Sequence, residues 1–158
     1  MGEAWIIDAA RTPRAIGKQG KGALWEIHPQ KLLSTVLSAL VERNGLDTND
    51  IDDVVMSCSS QVKKQAQCIA RMAALDAGYS TRASGVTLDR FCGGGISAVN
   101  MGAASIMSGM EDLVVAGGVE MMSYVAAEGI PTPLDAHNVD LRNCLLYTSD
   151  AADESSSV

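Results

Sequence analysis

Cys92 lies in the stretch Leu88 to Asn100 (LDRFCGGGISAVN), where it is followed at once by Gly93, Gly94 and Gly95. The glycines open a run that reads as a helix. A thiol at the head of a helix sits beside unpaired backbone N–H groups and the positive end of the helix dipole, which favours thiolate over thiol. The thiolate is the nucleophilic form. Glycines beside it leave a substrate room to approach and permit the φ/ψ values that a sharp strand-to-helix turn demands. A nearby N–H could also hold an oxyanion. Spacing alone keeps two readings open: an activated nucleophile, or a cysteine packed at a tight turn whose glycines serve the backbone.

The other chemistry-bearing residues are weaker candidates. Cys58, Cys68 and Cys144 form no CxxC pair, and His28 and His137 stand at no metal-ligand spacing, so reduced thiols are expected and no metal site. Cys68, among Ile69, Met72 and Ala73, reads as a small core residue, and Cys58 at a strand end reads the same way. The loop GKQGKG invites a phosphate reading, but Lys18 precedes Gln19 and Lys21 precedes Gly22, where a P-loop needs Ser or Thr. CGGGIS lacks the GxGxxG spacing of a dinucleotide fingerprint. Met101, Met107, Met110, Met121 and Met122 read as core or subunit-interface filler.

The elements that must position Cys92 alternate between strand and helix. Ala4 to Ala9 (AWIIDA) is an apolar run stopped before Pro13 and is expected to be the first strand. Pro29 starts a helix with Leu32, Leu33, Val36, Leu37, Leu40 and Val41 at helical spacing, ended by Asn44-Gly45. Asp52 to Cys58 is expected as the second strand, Gln65 to Ala77 as the second helix, and Ser84 to Phe91 as the third strand. A helix of small residues follows from Gly94 to Gly109, then a fourth strand at Asp112 to Ala116. The pattern is βαβαβαβ, an α/β layered sheet, largely parallel, with helices on both faces. Chemistry in such sheets gathers at the C-terminal ends of the strands, where Cys92 stands.

Composition sets outer bounds. The 158 residues are 47% hydrophobic, enough for a core, and no run approaches the roughly 20 apolar residues of a spanning helix. Twelve Lys+Arg against 19 Asp+Glu give a formal charge of -7 with the basic residues scattered, which argues against nucleic-acid and anionic-membrane partners. A soluble cytoplasmic protein is the expectation.

Several segments in register resemble the N-terminal part of a thiolase: AARTP at Ala9 to Pro13, ARMAALDAG at Ala70 to Gly78, DRFCGGGISAVN at Asp89 to Asn100, SIMSG at Ser105 to Gly109 and AGGVEMMS at Ala116 to Ser123. The resemblance, to acetyl-CoA C-acyltransferases and acetoacetyl-CoA thiolases, runs from about Trp5 to Tyr124. It implies a thiolase-like fold of which this chain holds an incomplete N-terminal half. It implies that Cys92 takes an acyl group from a 3-oxoacyl-CoA or acyl-CoA as an acyl-thioester, with its own N–H forming half of an oxyanion hole. Acyl-CoA and coenzyme A would be substrates, with no bound cofactor. Subunits of such enzymes pair through this half, which implies a homo-oligomer with Ser84 to Leu88 near the two-fold axis.

The sequence also departs from the family pattern. Asp89 stands where Asn is frequent, and Gly94 where Ser is frequent. The family's activating histidine, its Asn-Glu-Ala-type motif and its second Cys followed by glycines have no counterpart, since Cys144 precedes Leu-Leu. The chain alone is therefore expected to be inactive. The resemblance also admits a related condensing enzyme (a ketoacyl synthase or a lipid-transfer-type thiolase) or a non-catalytic fragment that pairs with a full-length partner. Residues 1–124 form the expected domain and 125–143 the start of a loop region. Residues 144–158, opening CLLYTSDAADE, read as the translation of a transposon-end sequencing adapter and are expected to be read-through.

Overall fold

The structure is a computed structural model that describes residues 2–16 and 18–127. The expected loop region beyond that point, the tail, His137 and Cys144 lie outside the described residues.

Helix α1 spans Pro29–Asn44. Pro29 presets the backbone of the first turn, and the imidazole Nδ1 of His28 accepts the Gln30 N–H at 3.2 Å. Gly45, at φ 60, ends the helix by donating its N–H to the Val41 carbonyl. Strand β1 (Asp53–Ser57) follows, then a single 3-10 turn at Lys63–Gln65, helix α2 (Ile69–Asp76) and strand β2 (Val86–Leu88). A second 3-10 turn, Phe91–Gly93, runs into helix α3 (Gly94–Ser108), followed by strand β3 (Val114–Gly118) and helix α4 (Met122–Ala127).

The sheet is parallel, in the order β2-β1-β3, with Ser57 level with Leu88 on one side and Gly118 on the other. Helices cover both faces, as the alternating pattern requires. Side chains leave successive residues of a strand on opposite faces. Val54 and Met56, with Val115 from β3, join Leu33 and Leu37 of α1 and Ile69, Ala70 and Ala73 of α2 in the main core. On the other face Gly102 brings α3 against Val114 and Ala116.

Four elements differ from the sequence reading. The apolar run at residues 4–9 is not a strand: Trp5, Ile6 and Ile7 are exposed, and among the described residues no backbone pairs with them. An apolar run supplies side chains for a sheet, but a strand also needs a neighbour's N–H and C=O groups. The segment is instead held at its ends. The Gly2 N–H reaches the Met107 carbonyl at 3.3 Å, and the Asp8 carboxylate accepts from Arg43 and Asn44, each at 2.8 Å. Between this segment, α1, α3 and the outer edge of β3 lies an apolar groove of about 1120 Å³.

The second helix starts at Ile69 rather than Gln65, because Gln67 and Cys68 hold positive φ values of 57 and 54 that no α-helix accommodates. Strand β2 stops at Leu88, short of Phe91, because Phe91 takes φ 44. Strand β3 is shifted two residues along, starting at Val114: the N–H groups of Asp112 and Leu113 are turned to the Asp52 carboxylate, at 2.7 and 3.0 Å. Of the five methionines read as filler, only Met121 is buried, while Met101, Met107, Met110 and Met122 are exposed.

Two outcomes are expected from this packing. Leu37 is fully buried, so Leu37→Ala should cost about 2–5 kcal/mol in a urea unfolding curve. The Asp52 carboxyl is held below its usual value by the two N–H donors. A depressed folded pKa gives stability that is present above the unfolded value near 3.8 and lost as pH falls through the folded one. Thermal melts should therefore fall as the pH drops below about 4. Asp52→Asn should melt lower at neutral pH and show a shallower acid loss.

Candidate active site

The turn carrying Cys92 is built by its neighbours. Asp89 Oδ1 accepts the Phe91 N–H at 2.9 Å, a side-chain turn that either Asp or Asn can make. Phe91 then takes the left-handed conformation, which redirects the chain from the strand into the helix. The Gly93 N–H donates to the Arg90 carbonyl at 3.0 Å, and the Gly94 N–H to the Phe91 carbonyl. Among the described residues the Cys92 N–H has no acceptor. Cys92 itself is exposed, at the C-terminal end of the sheet and directly before the 15-residue helix α3. The unpaired donor and an accessible thiol thus occupy one residue.

The three glycines do not supply the unusual backbone angle that the sequence reading gave them. Gly93 sits at φ -85 and Gly94 at φ -61, conformations open to any residue, and the strained position is Phe91. Only Gly94 is required for space: a Cβ there would coincide with the Ser57 hydroxyl oxygen and lie 2.7 Å from the Ser57 Cβ. A Cβ at Gly95 would meet nothing within 4 Å, so that side of the turn is open to a ligand.

Behind the turn lies a polar cluster that sequence reasoning missed, because Gln65 was placed inside a helix. Gln65 is fully buried yet fully paired. Its Nε2 donates to the Ser60 carbonyl at 3.0 Å and to Glu120 Oε1 at 2.9 Å, and its Oε1 accepts the Met121 N–H at 2.8 Å. Glu120 Oε2 accepts the N–H groups of Ser59 and Ser60 at 2.7 and 3.2 Å. These bonds tie the chain leaving β1 to the chain leaving β3. The only advance signal was Glu120 within AGGVEMMS.

The other two cysteines among the described residues, Cys58 and Cys68, are not exposed as Cys92 is. Cys58 is buried, and burial, helped by the Glu120 carboxylate 3.9 Å from its sulfur, pushes its thiol up to about 12. Cys68 is the N-cap of α2, not a residue within it, and its Sγ–H points to the Gly85 carbonyl at 3.3 Å. His28 is occupied at the cap of α1. Among the described residues no group of three or more His, Cys, Asp and Glu could hold a metal ion, and no helix is long and apolar enough to cross a membrane. The apolar groove beside β3 is not lined by Cys92.

Comparison with known proteins agrees with this architecture. The family described as "Thiolase, N-terminal domain" matches residues 4–154. The steroid 3-ketoacyl-CoA thiolase FadA6 of Mycobacterium tuberculosis is 46% identical over 125 residues, covering 79% of this chain and 30% of that protein. The 3-oxoadipyl-CoA/3-oxo-5,6-dehydrosuberyl-CoA thiolase of Escherichia coli is 44% identical over 78% of this chain and 30% of its own. A crystal structure of the Bacillus anthracis acetyl-CoA acetyltransferase superposes with a TM-score of 0.63 at 36% identity, covering 77% of this chain and 29% of that one. The chain therefore spans about 30% of the length of these relatives.

Gln65→Leu should strand the Met121 N–H and the Glu120 carboxylate and cost about 1–3 kcal/mol, read from the shift in denaturant midpoint. Iodoacetamide at pH 8, followed by peptide mass spectrometry, should label exposed Cys92 and spare Cys58, whose thiol stays protonated there. Equal labelling of the two would contradict the burial described.

Proposed function

Since the chain belongs to the thiolase family, we propose that Cys92 is the acyl-accepting nucleophile of an acyl-CoA C-acyltransferase that forms or cleaves 3-oxoacyl-CoA. The observation that carries this reading is the pairing, at one residue, of an exposed thiol and an unpaired N–H directly ahead of α3. In the proposed step the Cys92 sulfur attacks the thioester carbonyl of an acyl-CoA. The carbonyl oxygen takes the negative charge and is met by the Cys92 N–H. The carbonyl then re-forms, the bond to the coenzyme A sulfur breaks, and coenzyme A leaves as a thiolate that takes up a proton. The product is a thioester on Cys92, which coenzyme A or a second acyl-CoA would discharge.

The whole enzyme would act as a homo-oligomer paired through this half. Support for that comes from Val86 on the outer strand β2 and from Met101, Met107, Met110 and Met122, all exposed on this chain. Acyl-CoA and coenzyme A would be its small-molecule partners, with neither nucleic acid nor membrane involved and a cytoplasmic site of action.

This chain alone should not turn over. General-base help for a thiol requires a basic side chain in reach, and the one histidine among the described residues, His28, caps α1. Incubation of the 158-residue chain with acetyl-CoA should give a slow acetyl adduct on the Cys92 peptide by mass spectrometry, absent from Cys92→Ala, with no sustained release of coenzyme A. An adduct confined to Cys58 or Cys68, or steady turnover, would refute the assignment.

A further inference from the structure

Ser57 ends the central strand and is touched from both sides of the site. Its carbonyl accepts the Val119 N–H at 2.9 Å, and a Cβ on Gly118 would stand 2.6 Å from that same carbonyl oxygen. Its side chain, almost wholly buried, fills the space that Gly94 leaves at the first residue of α3. No backbone conformation at Gly94 demands glycine, so the absent side chain serves the contact alone. Gly94 is two residues beyond Cys92, and its N–H closes the 3-10 turn onto Phe91. At its junction with α3 the turn bearing the thiol is therefore seated on the strand by a serine hydroxyl against a bare α-carbon.

We infer that Ser57 is a positioning residue for Cys92, matched in size to Gly94, so that the two positions form a single steric unit that fixes where the sulfur and its N–H stand. The inference rests on Cys92 being the nucleophile, but not on its substrate. A side chain added at 94 must push α3 away from β1 and carry the Cys92 turn with it. A serine removed at 57 leaves the turn without its seat. Making both changes transfers volume from one side of the contact to the other and restores it.

The test is the rate of Cys92 alkylation by iodoacetamide across pH 6 to 10, resolved by peptide mass spectrometry, with thermal melting measured alongside. Cys92→Ser identifies the labelled peptide. Gly94→Ala should slow alkylation or displace its pH midpoint, with a rate change of about tenfold. Ser57→Gly should show a smaller change with the melting temperature nearly kept, and Ser57→Gly/Gly94→Ala should return to within about twofold of the unaltered chain. If Gly94→Ala does not fold, Ser57→Gly and the double variant still decide the matter through their pH profiles. A double variant no better than the worse single one, or a Ser57→Gly profile identical to the unaltered chain, overturns the inference. An unaltered Cys92 that reacts no faster than a free thiol in a short peptide overturns the nucleophile reading instead.

Discussion

The distance between α3 and the central strand is the constraint on which the site depends. Parallel strands joined by covering helices normally keep a helix off the sheet by the width of its side chains. Here Gly94 lets the first turn of α3 descend onto Ser57, while Gly118 lets β3 close on the same residue from beside it. Both approaches converge where β1 ends. The thiol-bearing turn is the next piece of chain along, so its location follows from how closely two backbones can meet.

Polar contacts complete what close packing begins. The Gln65 side chain and the Glu120 carboxylate collect four backbone groups from the chain beyond β1 and β3, and Gln65 does so without exposure to water. A buried amide with every partner present is rigid, since any movement would break bonds that water cannot replace there. Of the two thiols, the cluster acts on Cys58 alone. Cys58, buried against the Glu120 carboxylate, is kept neutral, whereas Cys92 stands outside the cluster in solvent beside an unpaired N–H.

Much of this was legible from the chain, and the failures have a common cause. Pro29 and Gly45 mark α1 because both act through their own backbone angles, and the small residues after Cys92 mark α3 in the same local way. Residues 4–9 were misread since pairing depends on a second strand that their own sequence does not encode. Gln65 was misread because helical spacing does not reveal the left-handed angles of Gln67 and Cys68 that separate it from α2. At the site, glycine was credited with conformational freedom that Phe91 supplies under strain, and the reason for Gly94 lay at Ser57, thirty-seven positions away in the chain. Properties set by a distant contact are the ones that a local pattern cannot carry.

The tethers on the amino-terminal segment impose an order on biosynthesis. Trp5, Ile6 and Ile7 are made before the elements that hold their segment, and its far anchor is the carbonyl of Met107, near the end of α3. β1 can join β2 as soon as residue 88 has been made, but Gly2 has nothing to bind until about twenty residues later. The segment can thus gain one anchor, Asp8 on Arg43 and Asn44 of α1, well before it gains the other at the end of α3.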